Sequence, residues 1–323
     1  MTQFAIYPSL RDRVVLITGG GSGIGASHVE QFSAQGAKVG FIDINRSASE
    51  QLVARIADAG HPKPMFFETD LRNIAAVKDS ISQFAAAVGD VDVLLNNAAH
   101  DERHRIEDVT VEYWDDRIAV NLRHLFFAAQ AVIPGMIRKD KGAIINFGSL
   151  SWHIAMGGMP VYVTAKAGIE GLTRGLARDL GPHNIRVNCI IPGWIMTQRQ
   201  LDLWVTPEGE KEIEQKQCLR SRVYPDDVAR MALWLAADDS RMCTNQTFVV
   251  DGGWMWAECL GRRIPVPRCS SSLLVRPEGV IRSIRMAGRE IRAGNEKPVG
   301  NANVFDHVSH DDPVRLRGLA GLR

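Results

Sequence analysis

The most constraining stretch of this chain is Val14-Val15-Leu16-Ile17, which runs without a break into Thr18-Gly19-Gly20-Gly21-Ser22-Gly23-Ile24-Gly25. Four consecutive branched apolar residues read as a short strand buried on both faces of a parallel sheet. Beyond the turn, Ile24, Val29 and Phe32 recur at helical spacing, and Gly36 supplies a C-terminal stop. Strand, glycine turn and helix in that order make a phosphate site. The glycines allow a tight turn and close backbone approach, and the helix N-terminus offers free N–H groups to a pyrophosphate. The spacing is G-x-x-x-G-x-G rather than the commoner G-x-G-x-x-G. A merely flexible glycine loop is the plainer alternative, and the position between strand and helix argues against it.

The rest of the chain continues the alternation. Val39-Gly40-Phe41-Ile42 forms a second strand ending at Asp43, about 20 residues past the glycines, where an acid accepts hydrogen bonds from an adenosine ribose. A carboxylate there repels a 2′-phosphate and favours NAD over NADP, while Arg46 lies close enough to soften that preference. Ser47-x-x-Glu50 reads as a capping box for the next helix. Met65-Phe66-Phe67 leads to Asp70 beside the expected adenine, and Val91-Asp92-Val93-Leu94-Leu95 leads to Asn96-Asn97-Ala98. Strands and helix-period segments alternate as far as Phe248-Val249-Val250-Asp251-Gly252-Gly253. The pattern predicts an α/β fold, a doubly wound parallel sheet of Rossmann type in a single domain, with ligands beyond the carboxyl ends of the strands.

The chemistry concentrates between Ser149 and Lys166. Tyr162 and Lys166 stand four apart, and Ala165, Ile169, Leu172, Leu176 and Leu180 recur at helical spacing behind them. A helix starting near Tyr162 puts phenol and ammonium on one face. A free tyrosine titrates near ~10 and is a poor base at neutral pH. A neighbouring ammonium is expected to lower that value and suit the phenol to take a proton from an alcohol. Ser149 follows the apolar run Ala143-Ile144-Ile145-Asn146-Phe147, at the carboxyl end of a strand facing the same crevice. Tyr-x-x-x-Lys alone is a weak signal, since most such pairs are solvated helix faces; the surrounding pattern gives it meaning.

Composition excludes several classes. The 323 residues are 45% apolar and 23% charged, ordinary for a globular enzyme, and a formal net charge of +1 points to neither nucleic acid nor an anionic membrane. No apolar run approaches ~18 residues, so no membrane span is expected. The start, MTQFAIYPSLRDR, lacks a basic region followed by an apolar block and is not read as a secretory signal. Five cysteines without C-x-x-C spacing read as reduced thiols of a cytoplasmic protein. No His/Cys/Asp cluster offers a metal site. Residues 260–323 carry twelve arginines and lysines against six acids, with little periodicity and much Arg, Gly, Pro and Ser. A disordered basic extension over 258–323 is expected, and shortening the chain near Leu260 is expected to leave folding nearly unchanged.

Taken together, TGGGSGIG, Asp43, the NNAA of Asn96 to Ala99, Asn121 in V-N-L-R-H, Ser149, Tyr162 with Lys166, and Pro192-Gly193 followed by Thr197 resemble the short-chain dehydrogenase/reductase family over roughly residues 10–257. The resemblance implies one domain over 1–257 that includes the substrate site. It implies a catalytic tetrad of Asn121, Ser149, Tyr162 and Lys166. It also implies a cofactor site of Gly19, Ser22, Gly23, Ile24, Gly25, Asp43, Asp70, Leu71, Asn97, Ala98, Tyr162, Lys166, Pro192, Gly193, Ile195 and Thr197. NAD is the expected cofactor and NADP the less favoured one. Ala99 departs from the family, which usually has glycine there.

A narrower similarity is to the bacterial aldose 1-dehydrogenases of that family, carried by A-I-Y-P-S-L, D-E-R-H at Asp101 to His104, N-L-R-H, I-N-F-G-S-L-S-W-H, T-P-E-G-E and Q-C-L. It implies oxidation of an aldose at the anomeric carbon to a lactone, with Ser149, Ser151, His153, Tyr162 and Trp194 around the sugar. Arg103 and His104 are instead expected to pair with Asp101 or Glu102. The partner is a small-molecule aldose, with no nucleic acid and no membrane. A homo-oligomer, commonly a tetramer in this family, is expected through the apolar helices around 118–136 and 165–180. The rival readings are a 3-oxoacyl or small-ketone reductase with the same tetrad and a cofactor-binding regulator without catalysis.

Overall fold

The computed structural model describes residues 4–255. Seven strands, β1 (Val14–Thr18), β2 (Lys38–Asp43), β3 (Met65–Glu68), β4 (Val93–Asn96), β5 (Gly142–Phe147), β6 (Ile185–Pro192) and β7 (Thr247–Val250), pair in parallel in the order β3-β2-β1-β4-β5-β6-β7. The chain steps outward from β1 through β2 to β3, then returns to the other side of β1 for β4. The order therefore reverses between β1 and β4, which opens a crevice beyond their carboxyl ends.

Ten α-helices connect these strands: α1 (Gly23–Ala34), α2 (Arg46–Asp58), α3 (Ile74–Val88), α4 (Val111–Ile118), α5 (His124–Lys139), α6 (Leu150–His153), α7 (Pro160–Leu180), α8 (Gln198–Leu203), α9 (Pro207–Lys216) and α10 (Pro225–Ala236). Alternation along β1 sends Val15 and Ile17 to one face, against Val29 and Phe32 of α1, Leu52 and Ile56 of α2, and Val228 and Ala232 of α10. Val14 and Leu16 go to the other, against Val77, Ile81 and Phe84 of α3, Val132 of α5 and Leu180 of α7. With both faces covered, the strands must be largely apolar, as Val14 to Ile17 are, all buried. A third cluster, including Leu125, Leu150, Ile169, Ile191, Met196, Ile213 and Trp254, lies under the carboxyl end of the sheet.

Local details depart from the sequence pattern in two places. The N-cap of α2 lies two residues before the expected one, because the side chain of Asn45 accepts the Ala48 N–H at 3.1 Å and Ser47 is already helical. α7 starts at Pro160, whose missing N–H costs nothing in a first turn, so Tyr162 is already inside the helix. Between α4 and α5 the backbone widens into a π turn over Ala119–Arg123, a feature often found at functional sites, and Asn121 lies in it. The expected boundary at 257 and the basic extension 258–323 lie outside the described residues. Among the described residues no helix is long and apolar enough to cross a membrane, and no cluster of three or more metal-ligating side chains occurs.

Candidate active site

The crevice holds a cleft of about 650 Å³, within the range of small-molecule sites. One end is built from the glycine turn. Gly19 has φ +68°, and a Cβ there would lie 2.7 Å from the Ala98 Cα. A Cβ on Gly25 would lie 1.8 Å from the Gly19 carbonyl oxygen. Only glycine fits either position. Asn97 ties the turn down, donating from Nδ2 to the carbonyls of Thr18 (3.2 Å) and Gly19 (3.0 Å). Ser22 is the N-cap of α1 but its hydroxyl caps nothing. The first-turn N–H groups of a twelve-residue helix thus face the cleft with the positive end of its dipole. This cradle fits a dinucleotide pyrophosphate.

Asp43 closes the turn from the side. Its two carboxylate oxygens accept the N–H groups of Gly21 and Asn45, each at 2.8 Å. Arg46, expected to soften the charge of Asp43, is instead engaged by Glu50 at 3.3 Å and by Glu68. Asp70 also lines the cleft; the Arg72 guanidinium grips both of its oxygens and holds its carboxyl below the usual range. Leu71, Ala98, Pro192, Gly193 and Ile195 line the same wall. The Thr197 hydroxyl caps α8 by accepting the Gln200 N–H at 3.3 Å, while its methyl faces Gly23. Ala99 adopts no left-handed backbone, so the alanine in place of the family's glycine carries no strain.

The other end gathers the chemistry. Ser149, at the end of β5, caps α6 by accepting the Ser151 N–H at 3.2 Å. Tyr162 on α7 lines the same end of the cleft as Ser149. The Lys166 ammonium lies 5.6 Å from the Tyr162 ring centroid and donates to the Phe147 carbonyl at 2.8 Å. Burial lowers the Lys166 pKa to about 8, and burial likewise raises that of Tyr162. Asp101 raises the Tyr162 value further, while Ser149 and Arg103 pull it down. The spacing argument expected Lys166 to dominate the phenol; desolvation outweighs it because both groups are sequestered in the same apolar wall.

Asn121 does not line the cleft. Its fully buried amide accepts the His100 N–H at 2.8 Å and donates to the His100 and Arg117 carbonyls at 3.2 and 3.0 Å. It therefore clamps the loop after β4 to the π turn. His153 also lies outside the cleft, which corrects its expected sugar contact. Its Nε2 is 2.8 Å from Glu170 Oε1 on α7, so the ring turns toward that carboxylate. The expected salt-bridge pairing of Arg103 and His104 with the Asp101 or Glu102 carboxylates is corrected too. Arg103 lies over the Trp204 ring at 4.9 Å, and the His104 Nδ1 meets the Glu102 backbone carbonyl at 3.0 Å and the Tyr113 hydroxyl at 2.9 Å.

Several lining residues had no signal in the spacing. Asp101 reaches across to α8, accepting from Arg199 Nε at 3.2 Å and Gln200 Nε2 at 2.8 Å. Gln200 in turn accepts the Trp194 indole N–H at 3.0 Å. Trp194 lines the cleft, with the buried Trp254 ring 6.2 Å away. The Ser151 hydroxyl is buried against the same cleft without a protein partner. His100, whose pKa is lowered by burial and then by Arg117 and Arg199, completes the rim.

A family model described as enoyl-(acyl carrier protein) reductase matches residues 19–255, which contain every feature of this cleft. The chain belongs to the short-chain dehydrogenase/reductase family. Among its relatives is a D-xylose 1-dehydrogenase of Caulobacter vibrioides, 51% identical over 250 residues, 77% of this chain and 98% of that protein. A probable galactose dehydrogenase of Rhizobium meliloti is 49% identical over 76% of this chain and 96% of its own length. Among solved structures, a putative gluconate dehydrogenase from Agrobacterium tumefaciens superposes with a TM-score of 0.74 at 27% identity, covering 78% of this chain and 99% of that one. As a short-chain dehydrogenase/reductase, the chain uses a nicotinamide cofactor, consistent with the cradle at its glycine turn.

Proposed function

We propose that this chain oxidises an aldopyranose at its anomeric hydroxyl to the lactone, with NAD as hydride acceptor. The observation that carries the reading is the meeting of Ser149, Tyr162 and Lys166 at a cleft end with an indole wall and a buried, unpartnered hydroxyl on Ser151. The two most similar relatives described above bear sugar dehydrogenase names. A pyranose ring offers an apolar face for Trp194 and hydroxyls for Ser151 and the polar rim, whereas a thioester chain has no use for that rim.

The nicotinamide, when bound, supplies the hydride acceptor. Ser149 holds the reacting oxygen, and Tyr162 takes its proton. Lys166 keeps a positive charge beneath the phenol's helix turn, and Asn121 holds the loop after β4 in place. General base catalysis of this kind contributes roughly 10²–10⁴ in rate. Because burial raises the Tyr162 pKa, the fraction of phenolate grows with pH, and oxidation is expected to accelerate above neutrality.

NAD is favoured over NADP because Asp43 presents its charge where a 2′-phosphate would sit, and the two glutamates holding Arg46 leave little to offset it. A cytoplasmic homo-tetramer fits the exposed Trp114 and Phe126 on α4 and α5. A panel of aldoses, polyols, small ketones and 3-oxoacyl thioesters with NAD(H) or NADP(H), read by absorbance of the reduced nicotinamide, tests the proposal. Aldose oxidation that falls below a few per cent in Tyr162→Phe, with cofactor affinity unchanged, is expected. Reduction of a thioester or ketone with no aldose turnover would overturn it.

A further inference from the structure

Tyr162, Lys166 and Glu170 stand at i, i+4 and i+8 on α7, one stripe of one helix. The first two belong to the site described above; Glu170 does not line the cleft. Its Oε1 accepts the Trp152 indole N–H at 2.8 Å and lies 2.8 Å from His153 Nε2. Both partners are on α6, the single turn that Ser149 caps. The Trp152 and His153 rings lie against each other at 3.7 Å, and the His153 and Glu170 side chains are only 14% and 12% exposed.

An isolated helical turn has no stability of its own, because nucleation costs more than one hydrogen bond returns. What holds α6 in place therefore decides where Ser149 sits. Leu150 anchors it below, in the apolar cluster with Ile169. The Glu170 carboxylate anchors it from the side, with one oxygen shared by two adjacent residues. An aromatic pair and an acid drawn together in a half-buried wall make a directional joint, which apolar packing alone does not provide.

We propose that Glu170 is a positioning residue that pins α6 to α7 and so sets the Ser149 hydroxyl against the Tyr162 phenol. The inference rests on the catalytic roles proposed above for those two residues. It also gives Trp152 and His153 a purpose: they are the α6 half of the joint.

The test compares Glu170→Ala, Glu170→Gln and Trp152→Phe in the full chain, using D-xylose and D-galactose with NAD. Glutamine keeps an oxygen that accepts from both donors; alanine keeps none. Glu170→Ala is expected to lower kcat by roughly 10–100-fold, the scale of a misplacement of about 1 Å at a reacting centre, with KM for the sugar and the affinity for NADH within about twofold. Glu170→Gln is expected to recover most of the rate.

A second readout needs no substrate. The Ile154, Ala155 and Met156 N–H groups bond back to the Leu150, Trp152 and Ser151 carbonyls at 3.2, 3.4 and 2.9 Å, so hydrogen exchange at these three amides reports how firmly α6 is held. Glu170→Ala is expected to speed that exchange at least roughly tenfold while amides of β1 and α1 keep their wild-type rates. A merely structural role would lower the melting temperature and speed exchange across the whole domain alike.

Wild-type kcat and unchanged exchange at α6 in Glu170→Ala would overturn the proposal. So would a Glu170→Gln as damaged as the alanine variant, which would assign the effect to charge. If the alanine variant does not fold, Trp152→Phe removes one donor and keeps a ring, and an unchanged kcat there overturns the idea equally. Should the wild type oxidise neither sugar, the functional reading fails on its own, and the exchange at α6 still decides whether Glu170 pins it.

Discussion

The same substitution, glycine to alanine, is expected to act in opposite directions at two positions, and the magnitudes follow from contacts. At Gly25 the new methyl would lie 1.8 Å from the Gly19 carbonyl oxygen, and ordinary contact begins at 3.4 Å, so the two must separate by about 1.6 Å. Neither side can yield easily. Gly19 donates to the Ile42 carbonyl at 2.7 Å, its own carbonyl accepts from Asn97 at 3.0 Å, and its φ of +68° leaves no ordinary alternative. α1 is held from below by Val29 and Phe32, both fully buried. Overpacking of this kind costs roughly 1–3 kcal/mol, or a melting temperature lower by about 2–12 °C for a domain of this size.

The larger effect falls on the cofactor. A turn displaced by more than 1 Å no longer aims its N–H groups at a pyrophosphate. Two lost charge-assisted hydrogen bonds at roughly 1.5–3 kcal/mol each weaken binding by about 10²–10⁴-fold. At Gly175, on the exposed side of α7, an added Cβ meets nothing within 4 Å and φ is helical. Alanine there is expected to stabilise by about 0.5–1 kcal/mol through the unfolded chain. Fluorescence titration with NADH and thermal melts of Gly25→Ala and Gly175→Ala read both effects. A Gly25→Ala protein binding NADH within about threefold of wild type would refute the cradle.

Two further outcomes follow from charge. Asp43 both repels a 2′-phosphate and holds the backbone of Gly21 and Asn45, so Asp43→Asn, which keeps one acceptor, should narrow an NAD preference of about tenfold or more (~1.4 kcal/mol). Asp43→Ala should narrow it too and weaken both cofactors; equal kcat/KM for NAD and NADP in the wild type would rule this out. His28 and His124 are fully buried, and burial lowers each pKa from 6.5 to about 3. Their folded values lie below the unfolded ones, so the stability they allow is complete above pH 6.5 and is lost as pH falls toward 3. At pH 5 each costs about 2 kcal/mol. Melting temperature should therefore drop between pH 7 and 5, and by less in His28→Leu; parallel declines in the two proteins would count against it.

How much of this was legible in the sequence depends on how far apart the interacting residues stand. The strand, glycine turn and helix at Val14 to Phe32 are contiguous, so their chemistry and geometry could be read together. Tyr162 and Lys166 share one helix, and four-residue spacing places them without knowledge of the rest of the fold. His153 could not be placed that way, because its direction is set by Glu170 on another element. Asp101 owes its place in the cleft to Arg199 and Gln200, nearly a hundred residues on.

The tyrosine illustrates a different gap. Spacing reports that an ammonium is near, but the pKa of the phenol follows from how much water both groups lose, and burial is a property of the whole fold. Lys166 donates to the Phe147 carbonyl at 2.8 Å, at the end of the strand that delivers Ser149. It thereby ties β5 to α7 on one side, as Glu170 ties α6 to α7 on the other. Seen this way, the stripe Tyr162, Lys166 and Glu170 places the proposed base and braces both ends of the segment that brings Ser149 to it. A local repeat of four in the sequence thus carries a long-range geometry that only the folded sheet makes visible.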